Sequence, residues 1–361
     1  MSRDVNRELL TLAGFEGEEL ENFLPDWLST VEKVGLTEDD IIYALDEYIP
    51  NNWNIQYIGV RKMIGAYFRE LVEVAKTQQY KAKGKKIIYG ILPAVATCYM
   101  AMKHAAGDNA YVSFPDLMLV TILNGFFDKA DPFFYHSEDK GFTYGCRHCP
   151  LNKMRFGAYS KELLATPDVI WSWGFNCDEG PKTDEMIQCL LDEKWHYVIS
   201  RLPHDTHLGD VDDEIEERVK YVAEQLRLGM EEIAKITGIK VTDEDMKHAI
   251  NTTNRLGFKI GQLVALVCNA DPVPLGGNAL TQFQQPLTVP FNSGTDYIEE
   301  AIDIMITEVR QAIKEGKGVL PKGAPKLGSY FVPFCIPWID RLFRENGVAT
   351  TFSQTLTLSK K

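Results

Sequence analysis

Hydrophobic and polar positions follow two different periods along the chain. Residues 1–85 place leucines and aromatic residues at helical spacing, and the polar run 77–86 is typical of a linker. Further on, short apolar runs between charged segments predict buried strands that alternate with amphipathic helices; these strands span 86–92, 111–115, 168–173, 195–200, 325–334 and 348–352. Because strands separated by helices form parallel βαβ units, the predicted fold class is α/β with Rossmann-like parallel sheets.

The same pattern divides the chain into four parts. They are a helical N-terminal extension, a first α/β domain, a helical connecting region and the start of a second α/β domain, at 1–85, 86–210, 211–322 and 323–361. Two strands alone do not make a stable parallel sheet. We therefore expect the second α/β domain to be incomplete or to take support from another part of the molecule.

Local signals mark two helix starts and one irregular segment. Thr37 and Thr242 each precede three acidic residues, which predicts a threonine N-cap with acids in the first helical turn. Prolines and glycines in 270–295 predict a loop-rich segment.

Composition and charge exclude several classes of protein. A hydrophobic fraction of 45% is ordinary for a globular chain, so disorder is not the main state. The 38 basic and 51 acidic residues give a net charge of −13, which disfavours binding to nucleic acid. No apolar run is long enough for a membrane span, and the N-terminal residues lack a secretory pattern. We expect a cytoplasmic protein whose ligands are small molecules or other proteins.

Seven cysteines carry the candidate chemistry. An odd number without an export signal argues against a disulfide framework, so metal ligands, redox groups or buried thiols remain. Cys98, Cys189 and Cys268 lie within helical patterns and are expected in the core. The Cys146–Cys149 pair, and Cys177 in the loop after a predicted strand, are candidate ligands for an iron–sulfur cluster, because soft thiolates match iron.

Other interpretations of these cysteines stay open. Cys146 and Cys149 form a Cys-x-x-Cys pair, but a structural zinc site needs four ligands and no second pair occurs. A thioredoxin-like redox pair and incidental thiols are the remaining alternatives.

Basic side chains near these cysteines also have two interpretations each. Lys153 and Arg155 could offset the negative charge of a cluster or lie on a solvated helix face. His148 could donate to a cluster sulfur or to substrate, or lie in an exposed loop. His204 and His207 could transfer protons or lie on the surface. The tryptophans are expected in the sheet core: Trp171, Trp173 and Trp195.

Several motifs in this order resemble the D-component subunits of the 2-hydroxyacyl-CoA dehydratase and benzoyl-CoA reductase family. Cys149, Lys153 and Gly157 fit the family's first ligand motif, and Asn176-Cys177-Asp178 is similar to its second. The strand end Arg201-Leu202-Pro203 and the helical stretch 236–255 are also similar. The resemblance covers roughly residues 85–352.

The resemblance implies an iron–sulfur enzyme that acts on an acyl-CoA thioester. Family members hold 4Fe–4S clusters between two α/β domains, as heterodimers of related subunits, although a homodimer is the alternative here. A separate ATP-dependent activator iron–sulfur protein delivers a low-potential electron. One-electron chemistry of the ketyl radical type then removes the hydroxyl group in the dehydratases, which are lyases, or reduces the ring in the benzoyl-CoA reductases. No phosphate-binding glycine motif occurs here, so ATP hydrolysis is assigned to the partner.

The resemblance also assigns the ligands. Cys149 and Cys177 are the implied cluster ligands, with Cys146 and Cys335 as further candidates. The family's third cysteine, expected in the second α/β domain, has no counterpart in 347–358. A non-catalytic or electron-relay subunit that supports a partner, and a zinc- or thiol-containing α/β protein, therefore remain alternatives.

Overall fold

A computed structural model describes residues 3–354, apart from positions 93, 95, 143–147, 174–176, 178, 192–193, 203–214 and 331–335. Six α-helices precede the first strand: α1 Val5–Leu12, α2 Gly17–Val34, α3 Glu38–Tyr43, α4 Ile49–Asn52, α5 Ile58–Ala75 and α6 Thr77–Ala82. A π-helical turn, Ala44–Tyr48, joins α3 to α4. The predicted start at Thr37 is confirmed, because Thr37 and Asp40 form a reciprocal capping box.

The α/β fold is confirmed by a four-stranded parallel sheet. Its strands are β1 Lys86–Gly90, β2 Ala110–Ser113, β3 Val169–Ser172 and β4 His196–Ile199. They lie in the order β2-β1-β3-β4. Every residue of β2 and β3 is buried, which explains why their sequences are continuous apolar runs rather than alternating ones.

Helices cover this sheet and connect its strands. They are α7 Ala96–Ala106, α8 Pro115–Leu119, α9 Asp131–Asp139, α10 Pro150–Ser160 and α11 Glu179–Leu191. A π-helical segment, Val120–Phe127, continues α8. The buried tryptophans confirm the predicted sheet core, since Trp171, Trp173 and Trp195 are all less than a tenth exposed.

The rest of the chain is mostly helical and ends in a small parallel sheet. Its elements are α12 Ile215–Thr237, α13 Asp243–Asn269, α14 Gly277–Gln284, α15 Asp296–Glu315, β5 Lys326–Tyr330, α16 Pro337–Glu345 and β6 Ala349–Gln354. Strands β5 and β6 pair in parallel. The small sheet takes support from α14, because Asp340 of α16 and Thr350 of β6 both accept the backbone N–H of Gly277 at 3.0 Å. Among the described residues, no helix is both long and apolar enough to cross a membrane.

One local prediction is wrong and another is incomplete. The segment predicted as a linker at 77–86 begins with α6, in which the Thr77 hydroxyl donates to the Val74 carbonyl oxygen. The segment predicted as loop-rich at 270–295 contains α14, which is buried on every side. Because α14 has no face toward solvent, its polar and apolar residues do not alternate at helical spacing, and the sequence does not indicate a helix.

Helix α5 joins the N-terminal helices to the rest of the core. Glu308 of α15 caps it, since the carboxylate accepts the backbone N–H of Ile58 at 2.9 Å and of Gly59 at 2.8 Å. A Cβ at Gly59 would lie 2.8 Å from the backbone nitrogen of Met305, so only glycine permits this close approach. The Tyr67 hydroxyl of α5 donates to the Gln282 carbonyl oxygen of α14.

Candidate functional site

Cys149 occupies the N-cap position of α10, with Pro150 as the first helical residue. Its thiol is partly buried. Burial raises the pKa of this thiol above its ordinary value, while hydrogen bonds from the backbone of Asn152 and Leu151 oppose that rise. A thiol in this setting stays protonated at neutral pH unless a metal ion takes its proton's place. Its environment therefore disfavours a free thiolate nucleophile.

Cys177 lies between β3 and α11, beyond the carboxyl end of β3. This confirms the predicted position in a loop that follows a strand. The start of α11 also reaches the end of β1, because a Cβ at Gly180 would lie 2.8 Å from the Ile91 side chain. Strand order reverses between β1 and β3, and ligands of open parallel sheets bind in the crevice at such a point.

Glu179 joins the two cysteine-bearing segments. It is the first residue of α11, and its Oε1 accepts the backbone N–H of Cys149 at 2.8 Å. The Nδ1 atom of His148 lies 3.6 Å from the same oxygen, and the His148 side chain is only 9% exposed. The interpretation of His148 as an exposed loop residue is therefore wrong.

Lys153 and Arg155 are buried, so the interpretation that places them on a solvated helix face is wrong. Arg155 donates to Asp116 Oδ2 at 2.7 Å and to Asp184 Oδ1 at 2.9 Å. Lys153 Nζ lies 2.5 Å from Glu138 Oε1. Burial raises the pKa of Asp184 to about 6, and Arg155 opposes that rise. Both cations are therefore already paired with carboxylates.

The predicted site residues have different outcomes. Cys146, Cys335, His204 and His207 lie outside the described residues, and their roles stay predictions. Among the residues described, no group of three His, Cys, Asp or Glu side chains is placed to hold a metal ion.

The three cysteines that were assigned to the core differ from one another. Cys98 is buried, as predicted, and Cys268 is partly buried against the core. The prediction for Cys189 is wrong, because this residue is exposed on α11. Its neighbours Met186 and Leu190 are also exposed, so an apolar pattern on the outer face of α11 caused the error.

Sequence reasoning missed Glu179, Asp116, Asp184 and Asn152. Glu179 carries a weak signal as an acidic residue in the first turn of a helix. The two aspartates carry none, because their partner Arg155 is 39 and 29 residues away along the chain.

Comparison with known proteins identifies the family of this chain. A family model described as 2-hydroxyglutaryl-CoA dehydratase, D-component, matches residues 137–361, which is more than half of the chain. No curated protein matches the chain. The matched region includes Cys149 and Cys177, and it confirms the family that the motifs predict.

Proposed function

Since this chain belongs to the 2-hydroxyglutaryl-CoA dehydratase D-component family, we propose that it is an iron–sulfur subunit of a 2-hydroxyacyl-CoA dehydratase. Cys149 and Cys177 are its cluster ligands, with Cys146 and Cys335 as further candidates. The substrate is an acyl-CoA thioester whose hydroxyl group is lost in a radical, one-electron reaction.

The observation that carries this proposal is the link between the two cysteine-bearing segments. Both cysteines precede helices, and Glu179 binds the start of α10 to the start of α11. The start of α11 lies at the reversal of strand order, where an open parallel sheet has its crevice. Two thiols on segments joined in this way fit part of the ligand set of a cluster.

The residues around Cys149 fit a thiolate ligand. Backbone N–H groups of Leu151 and Asn152 are directed at the sulfur, which favours its charged form. The buried rings of Phe142 and Phe156 stack nearby at 4.4 Å, and Phe142 lies 4.7 Å from the His148 ring. The Phe142 ring thus helps to bury His148, the residue before Cys149. When bound, a 4Fe–4S cluster supplies a low-potential electron and an iron that can hold a substrate oxygen.

The proposed partners follow from the family. A D-component works with a second subunit of the same enzyme, and an ATP-dependent activator iron–sulfur protein supplies the electron. Reduction of an aromatic acyl-CoA, as in benzoyl-CoA reductases, is the alternative reaction of the same site.

A test of the ligand assignment is anaerobic purification followed by counts of iron and acid-labile sulfide. We expect iron and sulfide in the wild-type protein and their loss in Cys149→Ala and Cys177→Ala. Cys189→Ala is the matched control, because this exposed cysteine lies on the same helix α11 and should keep the cluster. Full iron content in Cys149→Ala would contradict the assignment. Zinc in place of iron would favour the zinc protein.

A second candidate is an electron-relay subunit that supports a catalytic partner. It is favoured by the sequence, because the family's third cysteine, expected in the second α/β domain, has no counterpart in 347–358. Iron without binding of an acyl-CoA to the isolated subunit would support this candidate over the first.

A further inference from the structure

Two buried hydrogen-bonding atoms, on residues close to Cys149 in the sequence, have no hydrogen-bond partner among the described residues. They are Nδ2 of Asn152 and Nδ1 of His148. Asn152 is only 2% exposed, so its amide is out of reach of bulk water. A buried amide donor without an acceptor destabilises the fold, and such a group calls for an explanation.

The position of Asn152 on α10 directs its side chain toward Cys149. Cys149 is the N-cap and Asn152 is the third helical residue, N3. Side chains lean toward the helix N-terminus, and residues three apart on a helix lie on the same face. The Asn152 side chain is therefore expected on the Cys149 side of α10.

The charged side chains on the first turns of α10 are already bound to carboxylates. Arg155 is held by Asp116 and Asp184, and Lys153 by Glu138. Asn152 is thus the polar side chain of this segment, within the described residues, whose donor is free for a group bound at Cys149.

We propose, on the basis of the cluster function above, that Asn152 Nδ2 donates a hydrogen bond to a sulfur at the Cys149 corner of the cluster. A hydrogen bond to a ligand or cluster sulfur withdraws negative charge, which stabilises the reduced form and raises the reduction potential. Asn152 is therefore a positioning residue that tunes the cluster. It takes no direct part in the reaction.

The experiment compares full-length variants, purified anaerobically, by iron content and by a redox titration followed by electron paramagnetic resonance. Asn152→Leu removes the donor, and Asn152→Asp removes it while keeping the size of the side chain. We expect both variants to keep their iron and to show a lower midpoint potential than the wild type. Thr281→Val is the matched control, because it removes another buried, unpartnered polar atom on α14, and it should keep the wild-type potential.

The outcomes separate this inference from the proposed function. Variants at Asn152 with full iron and the wild-type potential overturn the inference and leave the proposed function intact; a buried water then satisfies the amide. Loss of iron from both variants also overturns it, because a tuning donor is not required for cluster assembly. A wild-type protein without iron contradicts the proposed function itself.

Discussion

Arg155 is a buried cation held between two carboxylates, and its removal has a predictable pH dependence. Its side chain is 4% exposed, and those of Asp116 and Asp184 are 2% and 1% exposed. Arg155→Met leaves two buried carboxylates without a counter-charge, which should cost about 3–5 kcal/mol of unfolding free energy at pH 8. The pKa of Asp184, already raised to about 6 by burial, rises further without the guanidinium.

The pKa of Asp184 is higher in the folded state than in the unfolded state. Asp184 therefore favours the folded state at low pH, where its carboxyl is protonated. That stability is lost as pH rises through the folded pKa. The destabilisation by Arg155→Met should therefore be smaller at pH 5.5 than at pH 8, as measured by urea unfolding. Arg227→Met is the control, because its pair with Glu224 is exposed and its effect should stay within about 0.5 kcal/mol. An equal cost at both pH values would contradict the argument.

At the scale of elements, the start of α13 depends on one threonine. Thr242 Oγ1 accepts the backbone N–H of Asp245, and Asp245 Oδ2 accepts the backbone N–H of Thr242 at 2.8 Å. Thr242→Ala removes the first bond and should lower the unfolding free energy by about 1 kcal/mol in urea unfolding. Thr242→Ser keeps the hydroxyl and should restore most of that loss. Equal stability of the alanine and serine variants would rule out the cap as the cause.

Elements with a strong local pattern were predictable, and those that depend on distant contacts were not. Strands β1 to β4 lie within one or two residues of the apolar runs that predict them. In β1 to β3, burial on both faces demands continuous apolar sequence, whereas β4 is partly exposed. Helix α14 was not predicted because all of its residues are buried, so its sequence lacks the helical alternation of apolar and polar positions. The positions of Cys149 and Cys177 follow from local motifs. Their link through Glu179 spans 30 residues, so no local pattern contains it.

At the scale of the molecule, the N-terminal helices belong to the central core. Glu70 of α5 is fully buried and accepts the backbone N–H of Asn292 at 2.9 Å and of Ser293 at 2.7 Å. Asn292 Oδ1 in turn accepts the backbone N–H of Val112 on β2, the edge strand. A chain of buried hydrogen bonds thus connects α5, the segment before α15 and the large sheet.

This connection predicts that residues 86–361 alone do not form a stable fold. Helix α15 packs against α5 through residues that are 0% exposed, including Ala301 and Met305 opposite Gly59, and deletion of residues 1–85 would expose this face to water. We expect the fragment to lack a cooperative thermal transition in circular dichroism, although it contains the whole region that matches the family. A chain that starts at Asp4 is the control and should melt like the full protein, since it keeps α1 and its N-cap. A cooperative transition of the fragment near the full-length melting temperature would show instead that the N-terminal helices are an independent attachment.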